Sequence, residues 1–334
     1  MHRITKIVLG VGFMLALAGC SNSQNFLDSA SPIADKEAGL YRLVLAMSVG
    51  VFVVVETLLI YNIIRFRQRR QQDDGKVPTQ HYRKLLIEGI YTGIPVVLVV
   101  ILFILTVRTI DAVAAPESSP SDLNVRVIAH QWWWEFDYPT LDITTANELH
   151  IPADTNVQVS LDSADVVHSF WVPQLAGKTD VIPGVTNKMW LRGDTPGVYD
   201  GQCAEYCGLN HATMRFKVFV DTQDDFATWV SDQQRPPAQP HTDLQQQGYN
   251  IIVNGICSNC HTLGSHQGAA SIGPNLTHLF TRTTFAGASF ELNQDNVRRW
   301  LQDTQAMKPG NKMKNVSLSP DQIDALVAYL STLD

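Results

Sequence analysis

The chain has 334 residues, 45% of them hydrophobic and only 17% charged, with a formal charge of −7. That length leaves room for two domains and additional segments. So low a charged fraction is unusual for a purely soluble protein, and mild acidity excludes a nucleic-acid partner, which calls for a basic stripe. The five cysteines, at positions 20, 203, 207, 257 and 260, are too few by one for a complete set of internal disulfides, so each needs its own chemistry.

Residues 1–20 open with His2, Arg3 and Lys6 and continue into the apolar run Ile7–Ala18, the n-region and h-region of an export signal. The run ends in Leu17-Ala18-Gly19-Cys20, which resembles the bacterial lipoprotein cleavage box. The resemblance implies a signal peptide over 1–19 and lipidation of Cys20. Two longer apolar stretches follow within residues 20–112, at about 40–64 and 85–107. Each reaches the roughly 20 residues that span a bilayer as a helix. Between them Arg65, Arg67, Arg69, Arg70, Lys76, Arg83 and Lys84 face only Asp73 and Asp74. The positive-inside rule places this loop in the cytoplasm, and both flanks outside. Glu56 and Glu88 are costly in lipid, which suggests protein neighbours or the water boundary, and Pro95 introduces a kink that neighbouring helices make tolerable.

After the Pro/Ser-rich stretch 116–121, the chain over 121–230 reads as short strands between turn signals. Leu123–Ile128, Val157–Leu161, Lys188–Leu191 and Phe216–Val220 are examples, and Pro-Gly pairs stand at 183–184 and 196–197. Such spacing favours a sandwich or barrel. Within it lie His168 and the run Cys203-Ala-Glu205-Tyr-Cys207-Gly-Leu-Asn-His211-Ala-Thr-Met214. Two thiolates, two imidazoles and a thioether form a soft set that suits copper. Cys₂His₂ also serves structural zinc, but zinc has no use for the methionine or the surplus of donors. Cysteines four residues apart can bridge two copper ions, each completed by one histidine, with Met214 and the Glu205 carbonyl as weaker contacts.

This pattern, from His168-Ser-Phe-Trp-Val-Pro through Pro183-Gly and Pro196-Gly-Val-Tyr to Met214, resembles cytochrome c oxidase subunit II over residues 36–230. The resemblance implies two transmembrane helices before a cupredoxin-like Greek-key sandwich. It also implies a dinuclear copper (CuA) centre on His168, Cys203, Glu205 through its carbonyl, Cys207, His211 and Met214. The Glu205 side chain is then expected at a magnesium ion shared with subunit I. Gln131-Trp132-Trp133-Trp134-Glu135-Phe136 is similar to the family's aromatic segment. It implies that electrons enter at Trp132 and that Trp134 packs in the core; Trp133 replaces the usual tyrosine. Glu88-Gly-Ile-Tyr91-Thr-Gly-Ile-Pro95 resembles the start of the family's second helix, with Tyr91 where tryptophan is usual, and implies a proton-uptake role for Glu88.

Residues 231–242 are polar and proline-rich, as expected of a semi-extended linker. Beyond them Cys257-Ser-Asn-Cys260-His261 reads as a site of covalent haem c attachment, with His261 reaching the iron. A helix is expected over Leu244–Asn254, and another opening at Ser319-Pro320-Asp321-Gln322 with a capping box. The second axial ligand is Met307 or Met313, which flank Pro309-Gly310; His266 and His278 are expected in surface loops. Residues 243–334 resemble a small all-α class I cytochrome c, whose Pro-Gly-x-Lys-Met pattern implies Met313. His/Met ligation raises the haem potential.

Together these resemblances imply a multidomain chain in a bacterial plasma membrane, with the N-terminus and both C-terminal domains on the external face. It would be subunit II of a proton-translocating cytochrome-c oxidase, partnered by subunit I, where oxygen is reduced, and by subunit III. Its donor would be cytochrome c or an upstream complex. A CuA-containing subunit of a nitric oxide reductase is the alternative. Nitrous oxide reductase needs more than the ten histidines present, quinol oxidase subunits lack the copper ligands, and a copper carrier has no use for covalent haem.

Overall fold

The computed structural model describes residues 24–67, 84–114, 123–264 and 272–334. The expected signal peptide, Cys20, most of the basic loop, the Pro/Ser-rich stretch and His266 lie outside them. By its internal contacts the chain divides into residues 35–114 and the remainder.

The first unit contains two long helices, α1 (Pro32–Arg65) and α2 (Leu85–Val113). The spans expected at 40–64 and 85–107 fall inside them, and each helix runs past the expected end. Their apolar side chains are largely exposed, Phe52, Ile64, Leu86 and Phe103 among them. These helices therefore have no interior to serve as a soluble core, which suits a lipid surround. The hydroxyls of Ser48 and Thr109 donate to Val44 O (2.8 Å) and Leu105 O (3.0 Å), so the helix satisfies its own polar groups as hydrocarbon requires. Lys36 Nζ donates to Ala112 O (3.1 Å), which places the start of α1 beside the end of α2, as in a hairpin.

The β domain is a sandwich of two five-stranded sheets. Its strands are β1 (Leu123–His130), β2 (Trp133–Tyr138), β3 (Ile143–Ala146), β4 (Glu148–Pro152), β5 (Val157–Ser163), β6 (His168–Val172), β7 (Ala176–Val181), β8 (Asn187–Leu191), β9 (Gly197–Cys203) and β10 (Arg215–Asp221). The sheet orders are β3-β2-β1-β5-β8 and β4-β10-β9-β6-β7. β1–β5 and β4–β10 pair in parallel and the other neighbours antiparallel, a cupredoxin-like arrangement. Alternation along β5 and β10 buries Val157, Val159, Leu161, Phe216, Val218 and Val220 between the sheets. At the centre Trp134, Phe136, Phe170 and Phe216 interlock; Phe170 stacks on Phe216 at 4.5 Å, and Trp134 meets both edge-on at 5.5 and 5.3 Å. Each such ring stabilises the fold by about 1.5–3 kcal/mol when buried. Trp134 also stands edge-on to His168 at 6.1 Å, so the aromatic core is the floor of the ligand-bearing end.

The stretch expected as a linker, 231–242, begins inside a helix, α3 (Gln223–Gln233), capped by the Thr222 hydroxyl on Asp225 N. It then stays close to the following domain rather than free of it. Gln233 Nε2 donates to Thr281 Oγ1 (3.2 Å) and Tyr329 OH to Ala238 O (3.0 Å).

The C-terminal domain is helical: α4 (Asp243–Asn254), α5 (Gln294–Gln302), the short α6 (Thr304–Met307) and α7 (Pro320–Leu330), with a small hairpin of β11 (Thr284–Phe285) and β12 (Phe290–Glu291). Thr242 and Ser319 each open a helix with a full capping box, and Pro320 stands in the first turn of α7. Ile252, Leu279, Val297, Ile323, Leu326, Val327 and Leu330 form the core. His278, expected in a surface loop, is buried at 6% exposure, its Nε2 3.1 Å from Arg235 O. The Arg235 carbonyl reaches it from the linker, a tertiary contact that local polarity does not disclose.

Candidate metal and haem centres

The first site lies at the end of the β domain where β6, β9 and the 203–214 loop converge. β6 begins with His168 and β9 ends with Cys203; the pairing of Phe170 with Cys203 brings the two termini together. From Cys203 the chain loops through Cys207 and a single 3₁₀ turn, His211–Thr213, before Met214 leads into β10. The loop is pinned at both ends, by Cys203 N to Met214 O (3.0 Å) and Ala204 N to Ser169 O (2.9 Å).

The donors cluster tightly. Cys203 Sγ lies 3.8 Å from Cys207 Sγ, 3.8 Å from His168 Nδ1 and 3.2 Å from Glu205 O. Cys207 Sγ lies 3.7 Å from both His211 Nδ1 and Met214 Sδ. Thus each sulfur faces the other and one imidazole, while the thioether lies by Cys207 and the carbonyl by Cys203. Cys203, Cys207 and Met214 are buried, and His168 is wholly so. The hydrogen bond from Cys207 lowers Cys203, and the same bond together with burial raises Cys207. A soft anionic donor therefore stands ready at neutral pH.

Sequence reasoning missed the group that orients His168. Asp165 Oδ1 accepts from His168 Nε2 at 2.8 Å, which turns Nδ1 toward the sulfurs. Asp165 is itself fixed by Val166 N and Gln131 N, both at 2.7 Å. Burial opposes charge on both side chains, but these bonds outweigh it, holding Asp165 below and His168 above its ordinary value. The carboxylate's position three residues before the histidine was the available signal. Trp132 donates Nε1–H to Cys207 O at 3.0 Å, alongside Gln131 Nε2 at 2.7 Å, so the aromatic segment grips the loop directly. The Glu205 carboxylate turns back to Tyr206 N (3.2 Å). A hollow of about 630 Å³ reaches Cys203 and His211, with Lys178 and Arg215 on its walls.

The fit to metal is good on the donor set alone. Two thiols, two imidazoles, a thioether and a carbonyl exceed what one tetrahedral ion uses and are softer than calcium or magnesium accept.

The second site is in the helical domain. Cys257 and Cys260 are unbridged thiols on a 3₁₀ turn that follows α4. His261 donates from Nδ1 to Pro274 O at 2.8 Å, leaving Nε2 as a lone-pair donor. Its burial, with Arg282 nearby, lowers its affinity for protons. Gly273 is required here, because a Cβ would stand 2.7–3.1 Å from the His261 ring. Met313 is held through its carbonyl by Thr304 Oγ1 (2.7 Å) and Gln305 Nε2 (2.9 Å), and its sulfur lies 3.2 Å from Trp300 Nε1. Met307, the other candidate, ends α6. Ile256 and Ile272, beside the motif and beside Gly273, are 56% and 67% exposed. Unbridged thiols, a pre-oriented imidazole and uncovered apolar side chains together fit a flat apolar group such as haem.

Glu88 is on α2, outside both clusters.

Three stretches match known families by description. Residues 19–108 match "Cytochrome C oxidase subunit II, transmembrane domain", 140–220 match "Cytochrome C oxidase subunit II, periplasmic domain", and 245–334 match "Cytochrome c". The cytochrome c oxidase subunit 2 of Alkalihalophilus pseudofirmus is 35% identical over 325 residues, covering 96% of this chain and 94% of its own. That of Bacillus sp. strain PS3 is 37% identical over 337 residues, with the same two shares. The crystal structure of the periplasmic domain of subunit II of cytochrome oxidase of Bradyrhizobium japonicum is similar at 30% identity and a TM-score of 0.33, over 34% of this chain and 95% of that one. With two apolar helices, a cupredoxin-like sandwich and a helical C-terminal domain in one polypeptide, this chain belongs to the cytochrome c oxidase subunit II family, as a membrane-anchored member that carries a cytochrome c domain.

Proposed function

We propose that the chain is the electron-transferring subunit of a proton-translocating terminal oxidase. It takes electrons from an external cytochrome c or upstream complex at its cytochrome c domain and passes them through the β domain to subunit I, where oxygen is reduced to water. Cys257 and Cys260 would attach haem c, with His261 and Met313 as axial ligands. His168, Cys203, Cys207, His211, Met214 and the Glu205 carbonyl would hold a dinuclear copper (CuA) centre. When bound, these groups supply one-electron storage at two fixed points. Asp165 fixes the His168 tautomer, the aromatic floor excludes water, and Trp132, bonded to Cys207 O, would be the point at which electrons enter the copper loop. The Glu205 side chain would share a magnesium ion with subunit I, and Lys178 and Arg215 beside the hollow would offer that subunit a basic contact. Glu88 is assigned to proton uptake at the subunit I interface; Glu88→Gln should slow turnover with both spectra unaltered. We place the chain in a bacterial plasma membrane, with the N-terminus and both folded domains outside and Cys20 lipidated. Subunit III is a further expected partner.

The observation that carries this reading is the pairing of the two sulfurs 3.8 Å apart, each with its own imidazole Nδ1 within 3.8 Å. One tetrahedral ion has no need of that symmetry. The test is metal analysis with visible and EPR spectra of the purified complex. Two coppers per chain, a multi-line copper signal and a haem c band are expected. Cys203→Ser or Cys207→Ser should abolish the copper signal and leave the haem attached. Zinc in place of copper would end the proposal.

A further inference from the structure

The cytochrome c domain and the β domain meet through two buried charges. Lys308, 5% exposed, stands at the start of the segment that leads to Met313. Its ammonium donates to Thr213 O (3.0 Å) across the interface, and to Ala286 O (2.6 Å) and Ser289 Oγ (3.3 Å) in its own domain. Thr213 lies between His211 and Met214. One side chain therefore ties the segment bearing the candidate iron ligand to the loop bearing candidate copper ligands. Around it Ser289 Oγ donates to Thr213 O (3.1 Å), Arg215 N to Gly287 O (3.0 Å) and Asn210 Nδ2 to Pro309 O (3.0 Å).

The second charge comes from the other side. Glu148 at the start of β4 is 2% exposed. Its Oε1 accepts from Thr283 N (2.9 Å), Thr283 Oγ1 (2.7 Å), Thr284 N (2.9 Å) and Thr284 Oγ1 (2.9 Å). Arg282, the preceding residue, is buried at 9% exposure; burial lowers its guanidinium to about 10, and the Glu148 charge works against that loss. A domain that swung on a tether would have to strip water from these groups at each approach, which is costly unless every bond re-forms. The same contact covers Trp132, 9% exposed: a Cβ on Gly287 would stand 2.8 Å from Trp132 O, and the Lys312 ammonium is 6.0 Å from its ring.

We propose that Lys308 and Glu148 are positioning residues that lock the cytochrome c domain onto the 209–215 loop in one orientation. Electrons then cross between two fixed loops, and a soluble donor is served by the cytochrome c domain alone, because the Trp132 face is closed to it. This rests on the redox reading above.

The test uses the intact complex carrying Lys308→Met or Glu148→Gln, with Ser289→Ala as a third, milder disruption of the same contact. Amide exchange at 209–215 and 283–289 should accelerate by about tenfold or more, as loss of a charged hydrogen bond at a buried interface predicts. Exchange in α4 and α7 should not change. In the same samples flash-induced transfer from haem to copper should slow, and soluble cytochrome c should begin to reduce copper directly, while both spectra stay as in the parent. Unchanged exchange in both segments would overturn the lock, and so would faster exchange with an undiminished transfer rate. Absence of copper or haem from the parent complex would instead remove the redox reading and leave the exchange result standing.

Discussion

A histidine that binds metal through one ring nitrogen is only as well aimed as its other nitrogen is tied. At His168 that tie is Asp165, at 2.8 Å, and it sets both the tautomer and the ring plane. Replacing the carboxylate by an amide leaves the shape and weakens the tie. Asp165→Asn should therefore cost about 10–100-fold in copper affinity, measured by competition with a chelator; an unaltered competition curve would show that Asp165 is not the orienting group. Asp303 sets a pH dependence of its own. Its carboxyl is held below the ordinary value by the Asn315 amide, with Ala306 N and Gln305 N adding to it, and so fastens α6 to the segment after Met313. A depressed carboxylate adds stability that is complete above its unfolded value of 3.8 and is lost as pH falls through the lower folded value. Thermal midpoints of the parent should decline in that acid window, and Asp303→Asn should lack this part of the slope. Parallel curves for the two proteins would contradict the assignment.

Elements here are positioned by a few close approaches. α4 and α7 cross where Gly248 meets Ala325: a Cβ on Gly248 would stand 2.1 Å from the Ala325 carbonyl oxygen and 2.9 Å from the Tyr329 side chain. Backbone cannot yield as a side-chain tip does. Gly248→Ala should destabilise the cytochrome c domain by about 1–3 kcal/mol through overpacking, read as a lower denaturation midpoint by the haem band. A midpoint equal to the parent's would mean that the crossing is looser than the contact distances require. Most of these elements were legible beforehand because their signals are local. The two apolar spans, the Ser319 cap with Pro320, and the alternation in β5 and β10 each declare a period or a cap within a dozen residues. α3 was missed: its Thr222 cap is present, but the helix is polar along much of its length and sits beside proline-rich sequence. His278 was misplaced for a related reason, since the carbonyl it bonds lies 43 residues earlier in the chain.

At the scale of the whole molecule, the candidate ligands could be read in sequence because chemistry fixes their types and spacing: Cys203 and Cys207 four apart, Cys257-x-x-Cys260-His261 in one turn. What holds the two ligand sets together could not be read. Glu148 is 135 residues from Thr283, and Lys308 is 95 from Thr213; neither lies in a motif, and a single glutamate or lysine in a sequence is most often a solvated one. Their burial makes a thermodynamic prediction. If the interface is stabilising in its own right, the β domain and the cytochrome c domain unfold together, because losing one domain forfeits the interface hydrogen bonds that stabilise the other. Glu148→Leu removes the acceptor for Thr283 and Thr284 and leaves their donors unmatched, a loss of about 3 kcal/mol for hydrogen bonds to a charged group. Calorimetry of the parent should give one transition for the two domains, and Glu148→Leu should split it, the cytochrome c domain melting first because its core is the smaller. Two separate transitions already present in the parent, or one undivided transition in the variant, would mean that the domains do not depend on this contact for their stability.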